Sequence, residues 1–130
     1  MTSLLDNSRR ADIRFYPNGR IDIAANLAKF LQLASGDVID IAHQNGEFYL
    51  YVRYRANQYI GRHEATAYPT KKGIRSSNNF RAYSKKLCSV ICGICNCTDA
   101  KLALFAGQPL SMPIIGNAIP LITLNPQIQK

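Results

Sequence analysis

The stretch from Asn18 to Ile41 constrains this chain more than any other. A turn signal at Asn18-Gly19 leads into Arg20-Ile21-Asp22-Ile23, an alternating run with both isoleucines on one face. Leu27, Phe30 and Leu31 follow at helical spacing, which predicts a short helix with one apolar side. Ser35-Gly36-Asp37 ends that helix, and Val38, Ile39 and Ile41 begin another strand. Such a strand–helix–strand unit is too small to bury a core alone, so its apolar side needs cover from elsewhere.

The flanks suggest where the cover comes from. Ile13 to Tyr16 reads as a first strand closed by Pro17-Asn18-Gly19. His43-Gln44-Asn45-Gly46 is a second turn, and Glu47 to Arg55 a long strand. In it Phe48, Leu50, Val52 and Tyr54 alternate with Tyr49, Tyr51, Arg53 and Arg55, one face apolar and the other increasingly basic. Periodicity fades from Ala56 to Asn79, where Pro69, Lys71-Lys72-Gly73 and Ser76-Ser77-Asn78-Asn79 mark loop chemistry, with short strands at Tyr59-Ile60 and Ala65 to Tyr68. A second half then echoes the first. Arg81-Ala82-Tyr83 and a helical pattern from Lys85 to Ile94 repeat Arg20-Ile21-Asp22 and its helix at an offset near 61, and Leu102-Ala103-Leu104 stands where Ile39-Asp40-Ile41 stood. Gly116 to Leu124 is the last expected strand, after an insertion around Gly107 to Pro113; Pro113 and Pro120 imply edge strands or irregular segments. The expected organisation is a first half over residues 1–55, a basic connection over 56–79 and a degenerate second half over 80–130 sharing one core. Cover by this second copy and cover by a second chain both satisfy the pattern.

Gly-Arg-apolar-x-Ile, then a helix with Leu-x-x-x-Leu-x-Leu, then Gly-Asp-x-apolar-x-Ile, running from Gly19 to Ile41 and extended by the strand to Val52, resembles the AbrB/MazE/MraZ swapped-hairpin β-barrel family. Ala24, Ala28-Lys29 and Gln32 depart from that pattern, which has Pro, a basic pair and Gly at these places. The resemblance implies a mainly β fold with short helices (β+α), an AbrB-like swapped-hairpin barrel, closed as a tandem pseudo-dimer if the repeat is real. It also implies DNA binding, with Arg20 as a contact, Lys29 as a helix basic and Arg14 on the first strand. MazE-type members are antitoxins with acidic tails, whereas Gly107 to Lys130 carries no acidic residue.

Charge placement points the same way independently. The net charge is +8 over 130 residues. Arg53, Arg55, Arg62, Lys71, Lys72, Arg75, Arg81, Lys85 and Lys86 fall in one segment opposed only by Glu64, which accounts for all of it. Interleaved Tyr54, Tyr59, Tyr68, Phe80 and Tyr83 offer stacking surfaces. The expected partner is a nucleic acid, double-stranded DNA foremost, bound by phosphate neutralisation as in a transcriptional regulator. A solvated basic face, another acidic partner or a membrane surface, and an antitoxin-like or other protein-interaction barrel with no DNA-binding activity are the competing readings. A homodimer or higher oligomer is compatible with the expected nucleic-acid partner.

Cys88, Cys92, Cys95 and Cys97 have spacings that can suggest a cluster or zinc site. The first three also form one i, i+4, i+7 helical stripe, and free cysteine packs as a small apolar residue, so the expected role is core packing with no metal and no cofactor. His43 and His63 have no neighbouring ligand at metal spacing. Gly-x-Ser-x-Gly, P-loop and dinucleotide fingerprints are absent, so no enzyme activity is expected. Without an apolar run of spanning length or a signal core in Met1 to Arg10, the expectation is a reducing cytoplasm and no membrane.

Overall fold

A computed structural model describes residues 11–58, 63–72, 75–97 and 100–129, with backbone alone for residues 71, 72, 75–78, 125, 127 and 129. The elements are β1 (Ile13–Phe15), β2 (Arg20–Ile23), α1 (Ala25–Leu31), β3 (Val38–Gln44), β4 (Glu47–Tyr54), β5 (Tyr68–Lys72), β6 (Arg75–Tyr83), α2 (Lys85–Ile94), β7 (Lys101–Ala106), β8 (Leu110–Met112) and β9 (Gly116–Gln129). The turns form for backbone reasons. Gly19 has φ +95, and a Cβ there would sit 3.0 Å from the Lys85 amide nitrogen, so only glycine fits. Asn45 and Gly46 both have positive φ, the pair of conformations that matches the twist of the β3–β4 hairpin.

All strand pairs are antiparallel, in the order β3-β4-β9-β7-β1-β2-β6-β5, with β8 pairing the start of β9. The sheet curls until its outer members meet. Val38 bridges Thr66, and the Ile39 and Ala67 amides donate to Ala65 and Asp37 carbonyls at 3.1 and 2.7 Å. The result is a barrel-like shell.

Hairpin–helix–hairpin occurs twice along the chain, and the copies interleave. The β1–β2 hairpin lies between β7 and β6, and the β3–β4 hairpin lies between β9 and the run entering β5, so each is flanked by strands from later in the chain. Ile21 pairs directly with Ala82, its counterpart at the offset of 61. Exchanging the two copies leaves the strand order unchanged, which places the β2·β6 and β4·β9 seams half a circuit apart.

Inward residues build one core. Ile13, Phe15, Ile21, Leu50, Leu102, Leu104 and Ile119 are wholly buried, joined by Leu27 and Leu31 of α1 and Cys88 and Ile91 of α2. Buried carboxylates tie loops to it. Asp12 accepts from the Ala106 amide at 2.7 Å and Asn26 at 3.0 Å, and Asp37 from the Ala34 and Ala56 amides at 2.9 Å each. These bonds satisfy groups that would otherwise be expensive to bury.

The helix from Lys85 to Ile94 forms as the periodicity predicts. The segment read as a connection does not stay irregular: β5 and most of β6 lie inside it, so a boundary at residue 80 cuts through a strand. Loop-forming residues are overridden there because β6 gains β2 and β5 as neighbours. Pro120, expected at an edge, sits in β9 opposite Tyr49. Its carbonyl accepts from Gly107 at the break between β7 and β8, so its missing N–H falls where the ladder is already interrupted. Tyr59-Ile60 lies outside the described residues.

Candidate nucleic-acid interface

Outward positions on β1, β2, β6 and β7 meet over the β2·β6 seam. Because side chains alternate along each strand, cross-strand partners share a face. Arg14 stands opposite Asp22, and Asp22 opposite Arg81, giving an arginine–aspartate–arginine row across three strands. Arg14, Tyr16, Arg20, Asp22, Arg81 and Lys101 line a groove of about 370 Å³, together with Thr70, Asn79 and Phe80.

Asp22 organises the groove. Arg20 donates to its carboxylate through Nη2 at 2.8 Å and through Nε at 3.2 Å, and Arg81 donates through Nε at 2.8 Å. Burial alone would raise the Asp22 pKa, but the hydrogen bonds from Arg20 and Arg81 outweigh it and hold the carboxyl below its ordinary value. The Arg20 guanidinium also lies 4.2 Å above the Tyr16 ring and reaches the Tyr16 hydroxyl at 3.3 Å. Lys101 Nζ is 5.4 Å from the centre of that ring. One carboxylate thus fixes two guanidinium planes, while Arg14 and Lys101 have no ion-pair partner among the described residues. Lys101 escaped the sequence reading because it lies outside the basic segment. Its only signal is its place at the head of a strand beside β1.

The other candidate cations separate into distinct environments. Lys71, Lys72 and Arg75 continue along β5 and β6, with Lys72 opposite Arg75. Arg62 lies outside the described residues. Arg53 pairs with Asp40 at 3.1 Å beside a second depression of about 380 Å³ that also includes Lys86, His63 and Glu64. Arg55 is structural: it bonds Asp37 at 2.9 Å and the Gln32 and Leu31 carbonyls at 2.8 and 3.0 Å, closing the C-terminal end of α1. Lys29 borders a different hollow over α1, and Lys85 a small cavity beside Pro17 and Cys88.

Cys88, Cys95 and Cys97 are buried, and Cys92 packs against the same core. The Cys88 and Cys97 thiols donate to the Arg20 and Ala100 carbonyls, both at 3.6 Å. Burial pushes Cys88 and Cys92 up to about 11, so both stay protonated at neutral pH. Among the described residues no group of three His, Cys, Asp or Glu is placed to hold a metal ion. His43 stacks on Phe48 at 4.5 Å and His63 packs on Tyr54 at 5.3 Å, each serving as an aromatic plate. No described helix is long and apolar enough to cross a membrane. In comparisons with known proteins, no family model, no curated protein and no solved structure matches this chain.

Proposed function

We propose that this chain is a non-enzymatic nucleic-acid-binding protein, built as a tandem swapped-hairpin barrel and acting on double-stranded DNA as a transcriptional regulator. The observation that carries this reading is the convergence of Arg14, Arg20, Arg81 and Lys101 on one groove in which Asp22 is the single carboxylate among the described residues. Guanidinium groups fixed by Asp22 keep their outer donors free for phosphate oxygens, and fixing them beforehand lowers the entropy lost on binding. Arg14 and Lys101, without an ion-pair partner among the described residues, supply further charge for counterion release.

Interleaved hairpins support the barrel assignment. Arg20 and Arg81 flank the Ile21–Ala82 pair as counterparts, and such near two-fold placement favours inverted-repeat duplex sites. Lys71, Lys72 and Arg75 extend the contact along the β5–β6 hairpin. Arg55, Lys29 and Lys85 are left outside it.

The test is a fluorescence titration against random duplex and random single-stranded oligonucleotides at two ionic strengths. Tighter binding to duplex, weakening steeply with salt, supports the reading. Absence of salt-sensitive binding to either polymer rejects it.

A further inference from the structure

We propose that Cys92 and Cys97 form a redox-active dithiol, a modification site that a low-molecular-weight disulfide closes into an intramolecular disulfide. The end of α2 brings the pair together. Asn96 has φ +54, the left-handed conformation that stops the helix. Its amide donates to the Gly93 carbonyl at 3.3 Å, and the Cys97 amide donates to the Cys92 carbonyl at 2.7 Å. These two bonds define a Schellman helix end, in which the residue after the left-handed one meets a side chain of the last full turn, commonly in an apolar contact. Here both members of that contact are thiols, and they hydrogen-bond to each other.

The backbone bond also fixes reach. With the Cys92 carbonyl oxygen and the Cys97 nitrogen 2.7 Å apart, standard bond lengths hold the two Cα atoms within about 6.6 Å, inside the roughly 4.4–6.8 Å that disulfides span. Cys88 is also one helical turn from Cys92, but its thiol is turned to the Arg20 carbonyl of β2, at 3.6 Å. Cys95 lies buried against the core.

A cavity of about 290 Å³ is lined by both thiols and by Lys85. Cys92 is half-buried and Cys97 buried, so an entering disulfide meets Cys92 first. The exposed Lys85 adds a positive charge that favours an anionic disulfide. Attack by the Cys92 thiolate on one sulfur of that disulfide forms a mixed disulfide and releases one small thiolate. The Cys97 thiolate then attacks the Cys92 sulfur, forming the Cys92–Cys97 bond and releasing the second small thiolate. The chain gives up an electron pair and both thiol protons, and the small disulfide takes them and leaves as a pair of thiols. Burial holds Cys92 up at about 11, with Cys97, Cys88 and Cys95 around it, so its thiolate is scarce at neutral pH and exchange quickens about tenfold per pH unit below that value. The site therefore responds to a sustained excess of disulfide, not to a brief one. The inference stands independently of the nucleic-acid reading.

The test is incubation of the reduced full chain with oxidised glutathione at mildly alkaline pH, without oxygen, followed by intact mass and thiol titration in denaturant. A loss of about 2 Da is expected, with Cys88 and Cys95 still titrating as thiols, and dithiothreitol should reverse it. Tandem mass spectrometry of the wild-type product should place the bond between Cys92 and Cys97, a readout that needs no variant to fold. Cys97→Ser, with circular dichroism of the folded chain, should form the internal disulfide at least about tenfold more slowly and accumulate one bound glutathione. Cys88→Ser should form it as the wild type does. A wild-type chain that keeps all its thiols, a bond mapped to any other pair, or an unchanged rate of internal closure in Cys97→Ser overturns the proposal.

Discussion

The β2·β6 and β4·β9 seams have similarly buried interiors and different exteriors. At β2·β6, Ile21 and Ala82 are buried beneath Arg14, Arg20 and Arg81. At β4·β9, Leu50 and Ile119 are equally buried, but the outer surface running on through β9 carries Ile122 and Leu124 and no charge. Core residues are held to one composition by packing, whereas outward positions cost little to change. A curled sheet can therefore keep one core while its outer faces differ.

The largest expected effects test the shared interior. Ile21→Ala and Leu50→Ala should each lower unfolding free energy by about 2–5 kcal/mol in urea titrations, because each opens a cavity in close-packed core. A much smaller loss at one seam would show that the halves do not share a core equally. The exteriors should separate next. Arg20→Ala with Arg81→Ala should weaken nucleic-acid binding by roughly 10- to 100-fold at low salt, while Leu124→Lys leaves it no weaker.

Asp22→Asn sharpens the comparison further. Its folded pKa is lowered, so the stability it contributes is fully present above its unfolded value of 3.8 and is lost as pH falls through the lower folded value. The variant should lose stability at neutral pH and show a flatter acid limb, measured by denaturant midpoints between pH 2 and 6, taken as roughly spanning ordinary carboxylate titration. Its nucleic-acid binding should weaken at fixed salt, since two arginines lose the carboxylate that holds their guanidinium planes in place. The smallest effect is expected at Arg53→Ala, whose pair with Asp40 is exposed and weakened by solvent. A large binding loss there would move the interface to the other depression.

How much of this was legible beforehand depended on periodicity. The helix over Lys85–Ile94 and the alternation of β4 could be read because burial imposes a period on residue type. β5 and β6 could not, since their strand state comes from neighbours distant in the chain and not from their own loop-forming residues. Clustering of charge along the sequence identified the groove in part. It brought in Arg81 but also Arg55, whose guanidinium closes α1, and it passed over Lys101. Sequence distance cannot tell which face of a strand a cation occupies after the sheet has curled. Asp22 is a local neighbour of Arg20 along β2 but meets Arg81 only through the pairing of β2 with β6, which spacing along the chain does not reveal.

Binding of a labelled random duplex to wild type and to the combined Arg14→Ala, Arg20→Ala, Arg81→Ala, Lys101→Ala variant, followed over a series of salt concentrations, is the most direct test. A slope of log affinity against log salt that falls by about three to four units in the variant is the predicted result. An unchanged slope, with the variant still folded, would place the phosphate contacts elsewhere and contradict the assignment of this groove.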